Sequence, residues 1–374
     1  MSNAQQVQYT ILVEGSDGGF YNFVERTSVK FGYSLNRGTT ATIDIPLIAN
    51  CVNPYTKATR KAKLYVYRQT ESEEEKRLYW YGVLKNVDIS GDFLDTSLSM
   101  QFECLASQLK YRYTPVDYQV STPTDTGEIL WDLIDYTQGL TGGNLEITRG
   151  SITASKDRTA LEELKDREIY SIMESYAEVI DGVDWLISPS LQNHTQGEFN
   201  VYFRGLGEKY HRGSVKTQPL VFHVGDNLEV TKVNNIESFT IKEIGDTYAN
   251  SVRVKGAVVE DIQLYAEEQD ATQIGAYGLY ESLEQQNDIS QQDTLDDKAV
   301  ELLGATSVIP YDVDVVLTPY TAPFIGEYEI GDIFVCDFNL FDKVVFQKEY
   351  RVYTVDIEIN SKGIENVKLG LNII

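Results

Sequence analysis

Histidine, cysteine and tryptophan are scarce in this chain, with three of each in 374 residues. His194, His211 and His223 are scattered, with no HExxH or comparable spacing, so a metal centre has no ligand set to draw on. Cys51, Cys104 and Cys336 lie too far apart for a CxxC motif, and one disulfide would leave a thiol over. Cys104 and Cys336 fall inside apolar strand patterns, which predicts buried, reduced thiols and folding in a reducing cytosol. An N-terminal apolar core of signal-peptide type is missing, and the longest apolar run is far short of a membrane span. The triplet Asn193-His194-Thr195 therefore carries no weight as a glycosylation site. Walker A and GxSxG sequences are absent too, and Gly205-Leu206-Gly207 has no third glycine or following helix, so it is a turn.

Cations are also few: 32 Lys and Arg stand against 57 Asp and Glu, a formal charge of −25. Such a chain is a poor clamp for phosphate backbones. Its acidity serves solubility and mutual repulsion. Carboxylates this abundant make chance pairs uninformative. Asp181 and Asp184 flank Gly182 beside Trp185, as an acid and a nucleophile near a sugar-stacking ring would. Nothing in the sequence supplies the poised acid that such chemistry needs. The simpler account is a helix C-terminus with solvated acids and a tryptophan in the local core. Asp332, after Gly331, fits a tight turn closed by an Asx side-chain bond. His194 fits a solvated turn and His223 an edge strand. No catalytic, cofactor-binding or metal residue is assigned, and an enzyme is not expected.

What the chain does have is tyrosine, 25 against 14 Phe, and an ordinary 42% hydrophobic content. Tyrosine-rich strands suit half-buried sheets and interfaces. Residues 8 to about 113 alternate with period two in runs such as Ile43-Asp44-Ile45 and Leu98-Ser99-Met100-Gln101-Phe102. Pro46 places its strand at an edge or ends it. A charged tip, Glu71 to Lys76, separates Leu64–Arg68 from Leu78–Leu84 and Val87–Ile89. Asp125 with Glu128 predicts a helix start, with Ile129, Leu130, Leu133 and Ile134 on its apolar face and Gly139 as its stop. A second helix is expected from Asp166, through Ile169, Ile172, Met173, Tyr176 and Ile180 to a cap at Gly182. Strands follow at Val183–Ser188 and Phe199–Phe203.

From Leu220 the chain is β-rich again, with strands expected at Phe239–Ile244 and Asn250–Gly256. Residues 260–298 are polar and acidic and suggest a surface excursion, with a short helix from Thr294 to Leu303. The ending pairs Glu349–Ile357 with Gly363–Leu371 through Asn360-Ser361-Lys362-Gly363. The fold class is α+β, dominated by β. The expected domains are a β-domain at 1–115, an α+β insert at 116–219 and a second β-domain at 220–374 with an excursion near 260–305.

Three stretches, in this order, resemble the baseplate (tail-tip) hub proteins of long-tailed phages. They are Ser175-Tyr176-Ala177-Glu178-Val179-Ile180-Asp181-Gly182-Val183-Asp184-Trp185, then Ala249-Asn250-Ser251-Val252-Arg253-Val254-Lys255-Gly256, then Tyr277-Gly278-Leu279-Tyr280-Glu281 with Lys298–Leu303 and Gly331-Asp332 beyond. The resemblance implies two tail-tube-like β-barrel domains, an inserted domain outside them, and three chains closing a ring of six tube-like units. It implies a structural role joining the tail tube or distal tail ring to tip, spike or fibre proteins while DNA passes without specific binding. It also implies a place in the virion after assembly in the host cytoplasm. Some members of the family carry a peptidoglycan-degrading domain downstream; none is expected here after Ile374, nor a cofactor or membrane anchor. Two other classes stand beside it: a host-surface module presenting tyrosines to a glycan or protein, and a cell-wall hydrolase.

Overall fold

The computed structural model describes residues 7–15, 18–22, 28–46, 62–71, 75–91, 96–152, 157–160, 164–178, 183–189, 197–203, 220–225, 234–243, 245–287, 292–307, 311–340 and 344–373. Cys51, Ile180, Asp181, Gly182, His194, His211, the Asn193 triplet and Gly205-Leu206-Gly207 lie outside the described residues. The chain divides into two compact units: residues 1–239 with 315–372 and 374, and residues 240–314 with 373.

The first unit begins with the alternating runs, and they are strands: β1 (Val7–Glu14), β2 (Phe20–Asn22), β3 (Ser28–Ser34), β4 (Thr40–Pro46), β5 (Lys63–Thr70), β6 (Arg77–Gly91) and β7 (Thr96–Cys104). Ile43, Ile45, Leu98, Met100 and Phe102 point inward and are fully buried. Pro46 ends β4 at its pairing with Ser97, as a residue without an N–H should. The two runs Leu78–Leu84 and Val87–Ile89 form one strand. A register shift between Leu84 and Asn86 absorbs the break in alternation. Gly82 cannot be replaced there, since a Cβ would stand 2.3 Å from the Glu103 carbonyl and 2.4 Å from the Trp80 ring.

Between the two strand blocks lie α1 (Leu105–Gln108), β8 (Val120–Asp125), α2 (Thr126–Gly139), β9 (Ile147–Ile152), β10 (Asp157–Ala160), α3 (Ile169–Glu178), β11 (Val183–Pro189) and β12 (Gly197–Phe203). Asp125 caps α2 through Oδ1, which accepts from the N–H of Gly127 at 2.8 Å and of Glu128 at 3.3 Å. Ile129, Leu130, Leu133 and Ile134 of α2 are buried against Met173 of α3 and Trp185 of β11. The second helix starts at Ile169, not at Asp166. Asp166 has φ 47°, a left-handed conformation that a helix cannot continue. β11 and β12 are antiparallel, while β12 and β9 are parallel.

After β13 (Leu220–Gly225) and β14 (Ile236–Glu243) comes the second unit, with β15 (Ser251–Val259), β16 (Ile262–Gln269), α4 (Ala271–Tyr277), β17 (Glu281–Gln285) and α5 (Gln292–Thr306). The expected polar excursion over 260–298 is largely ordered structure. β16 and β17 flank β15 in a three-stranded sheet, and α5 covers one face. The sequence hides this because the cluster beneath α5 is so small: Val254, Ala266, Leu295 and Ala299 are its buried residues. Glu260 (φ 49°) and Asp261 (φ 64°) make the two-residue turn between β15 and β16.

The first unit resumes with β18 (Tyr311–Leu317), β19 (Ile333–Leu340), β20 (Val344–Asn360) and β21 (Glu365–Ile373). The last hairpin forms as expected: Asn360 Oδ1 accepts from Lys362 N and Ile364 N, and Gly363 takes φ 79°. The main sheet has thirteen strands, and its path runs β14-β18-β21-β20-β3-β4-β7-β6-β5-β1-β2, with β19 paired to β20 and β13 paired to β19. The join between the N-terminal and C-terminal strands is β3 against β20, from Ser28↔Asn360 to Ser34↔Thr354. The protein is thus β-dominated α+β with one large sheet.

Arg68 of β5 and Glu365 of β21 are six steps apart on that path, about 29 Å in a flat sheet. Yet Arg68 Nη2 lies 3.0 Å from Glu365 Oε1, and Arg68 Nε lies 3.2 Å from Oε2. The sheet must curl to bring them together. The Tyr9 hydroxyl donates to the same carboxylate at 2.5 Å, and the Ile325 carbonyl accepts from Arg68 at 3.4 Å. Burial, followed by the Glu365 charge, holds the Tyr9 hydroxyl well above its ordinary pKa. Arg68→Ala leaves Glu365 without its cation in this enclosed site and should cost about 3–5 kcal/mol, whereas Arg68→Met with Glu365→Leu should recover most of that loss. Urea unfolding midpoints measure both.

Candidate functional site

Of the two acids singled out beside Trp185, Asp184 lies among the described residues. Asp184 is not a solvated flank of α3; it is fully buried. Its Oδ1 accepts from Asn36 Nδ2 at 2.7 Å, and its Oδ2 lies 2.5 Å from Arg351 Nη2. Asn36 (φ 58°) also accepts from the Trp185 N–H at 2.7 Å and donates its own N–H to the Trp185 carbonyl. Asp184 therefore ties β11 to the turn after β3 and to β20, with its charge already met. No local pattern reveals this, because both partners are remote in sequence. Trp185 sits in the core as expected, donating its indole N–H to the Met173 carbonyl at 3.1 Å.

His223 lies on a strand paired on one side, since β13 pairs with β19 alone among the described residues. Its ring is nevertheless buried, with Nδ1 3.1 Å from Asp337 Oδ2 on the facing register position. A His–Asp pair is two-thirds of a hydrolytic relay. Here the pair joins two neighbouring strands, the ring meeting Asp337 across the β13–β19 register. Asp332 closes its turn through Oδ2, which accepts from Glu329 N at 2.9 Å beside Gly331 at φ 90°. Among the described residues no group of three His, Cys, Asp or Glu side chains gathers to hold a metal, and no helix is long and apolar enough to cross a membrane. A cavity bounded by Arg37, Trp80, Cys104 and Leu186 measures about 20 Å3, room for about one water.

What the first unit does offer is sheet edge. β5 runs alongside β6 only as far as Lys63↔Val83. Beyond it, among the described residues, Lys85–Gly91 is paired on one side alone, to β7. Ile89 stands 53% exposed on this edge. β2 ends the sheet path at the other side, with Phe20 exposed. A strand edge without a partner is in general a ready docking surface for another strand.

This architecture recurs in solved structures. The tail protein from Neisseria meningitidis MC58 superposes with a TM-score of 0.61 at 10% identity, over 97% of this chain and 96% of that one. The 43 kDa tail protein of prophage MuSo2 from Shewanella oneidensis gives 0.60 at 10% identity, over 97% of both chains. A chain of the half-lidded Francisella PdpA–VgrG complex gives 0.56 at 10% identity, over 100% of this chain but 59% of that one. No family model and no curated protein sequence matches the chain. The fold is that of the phage and prophage tail proteins, preserved where sequence identity has fallen to about a tenth.

Both described cysteines are free, and burial pushes the Cys336 thiol up to about 12. The folded state thus keeps Cys336 neutral while an unfolded thiol ionises near 9, so this group withdraws stability as pH rises from about 9 to 12. At pH 8, iodoacetamide should leave Cys336 unmodified in the native protein and alkylate it in urea. Peptide mass mapping reads the difference.

Proposed function

We propose that this chain is a structural component of the baseplate or tail tip of a long-tailed phage, a hub that joins the tail tube or distal tail ring to tip, spike or fibre proteins. The observation that carries this reading is the likeness to two tail proteins over nearly the whole of both chains. It is supported by the side chains: each acid or histidine checked above is committed to a turn, an ion pair or a strand contact. The work of such a protein is assembly rather than catalysis.

In this reading residues 1–115 and 220–374 supply two wall segments of a ring, 116–219 is the inserted domain outside it, and three chains close the ring. Two features support it. Both outer blocks feed strands into one curled sheet through β3 and β20. Among the described residues, Lys85–Gly91 is paired on one side alone, to β7, which leaves an edge that a neighbour could use. Permanent interfaces of this kind bury thousands of Å2. The charge of −25 then has a use, because DNA passing an acidic wall is repelled rather than trapped. An assembled ring with a neutral or basic lumen removes that part of the proposal.

Native mass spectrometry and negative-stain microscopy of the purified chain, alone and with its tail partners, test the assembly. The expected product is a three-chain ring with an open centre. A chain that stays monomeric with every partner, or that clears peptidoglycan in a zymogram, overturns the reading.

A further inference from the structure

We infer that the second compact unit carries a docking surface for a different protein, one that presents basic side chains around an apolar socket. This deepens the assembly reading and rests on it for the partner being a protein.

The unit is lopsided. α5 covers the sheet face that holds Val254 and Ala266, while on the opposite face, among the described residues, Arg253, Tyr265, Glu267 and Leu283 are exposed. There Arg253 pairs in register with Leu283 on one side and Glu267 on the other, while Lys255 faces Tyr265. Leading into it, the segment from α4 to β17 exposes Tyr277, Leu279 and Tyr280, and Leu283 continues the ridge at 60% exposure. That is a large apolar and aromatic display for a unit whose cluster beneath α5 buries four residues.

The exposure does not come from slack backbone. Asn250 is fully buried and fixes the segment, donating from Nδ2 to the Gly278 carbonyl at 2.7 Å and accepting the Tyr280 N–H at 2.9 Å. The Tyr280 carbonyl accepts from both Asn250 N and Ser251 N. Gly278 takes φ 87°, which turns the chain between the tyrosines. The Tyr248 ring stands edge-on to Tyr277 at 6.3 Å and to Tyr280 at 5.2 Å. A ridge held this firmly has paid little of its ordering cost at the moment of binding. Tyrosines in such a place are the residues that interfaces concentrate.

Charge selects the occupant. Residues 240–314 hold sixteen acidic side chains against four basic ones, a formal −12 out of the chain's −25. A second copy of the same unit would bring like charge against like, which is costly across an interface. Nucleic acid and anionic lipid are repelled for the same reason. A protein with a lysine or arginine rim gains from the field and fills the ridge with its apolar centre.

The test uses the full chain and three labelled peptides of equal length: a Leu/Lys amphipathic repeat, a Leu/Glu repeat and a Lys/Ser repeat. Fluorescence anisotropy should show the Leu/Lys peptide binding at least about tenfold tighter than Lys/Ser, and Leu/Glu not binding. Tyr280→Ala with Leu283→Ala should weaken Leu/Lys by about tenfold and leave Lys/Ser unchanged, because no charge is altered. Glu281→Lys, a second exposed variant on the same edge, should weaken both cationic peptides. Circular dichroism melts confirm that the variants fold. Equal binding of Leu/Lys by wild type and the Tyr280/Leu283 variant overturns the proposal, as does equal binding of Leu/Glu. So does a wild-type oligomer that the variant dissolves, which assigns the ridge to a second copy. Binding of a neutral oligosaccharide panel that is lost in Tyr277→Ala assigns it to a glycan and overturns it too. None of these readings requires ring closure, so a failed ring and a failed ridge give different results.

Discussion

The backbone pairing of β3 with β20 is the constraint on which the first unit depends. Ser28–Ser34 and Thr354–Asn360 come from opposite ends of the chain, yet each supplies the other's hydrogen bonds along the whole length of β3. Without that join the N-terminal strands β1 to β7 and the C-terminal strands β18 to β21 would be two open sheets, each with a raw edge. With it they are one surface, and the curl of that surface lets a cation on β5 meet a carboxylate on β21. Arg68, Glu365 and Tyr9 then act as a polar clasp inside the curl. The cost of burying these groups is offset because each has partners in place.

The same logic accounts for two acids that look most like chemistry, Asp184 and Asp337. Each sits where a strand must be fixed to another part of the chain, and each is matched by a cation or a histidine. Buried polar contacts of this kind select one arrangement among several that the apolar pattern alone would allow. The α+β region is bound in by this means, Asn36 reaching Asp184 from the turn after β3 and Arg351 reaching it from β20, at opposite ends of the sequence.

Much of the first unit was legible in the sequence, because its elements follow local rules. Period-two alternation marks β4 and β7, Asp125 marks the start of α2, and Asn360 with Gly363 marks the last turn. Two things were hidden. Strand order, β3 beside β20 above all, is a long-range choice that no short window contains. The second unit was hidden for a different reason: with two alanines among the four buried residues of the cluster beneath α5, Ala266 and Ala299, its apolar signal is too faint to separate from a loop. Its display of tyrosine and leucine was visible as composition, but only the bonds of Asn250 reveal that it is a fixed surface. The start of α3 was misplaced because the left-handed backbone at Asp166 leaves no mark in residue type.

The remoteness of β3 from β20 also bears on how the molecule is made. Residues 28–34 emerge from the ribosome early and must wait until residues 354–360 have been synthesised before their outer edge is covered. At ordinary elongation rates, about 5–20 residues per second, that wait is on the order of 15–70 seconds. Throughout it a strand edge is open to the wrong neighbour, including the equivalent edge of a second nascent chain. Once the late strand arrives the edge closes, so a chain cut short before it would keep that edge exposed. Synthesis of the far end is in this sense a check on the near one.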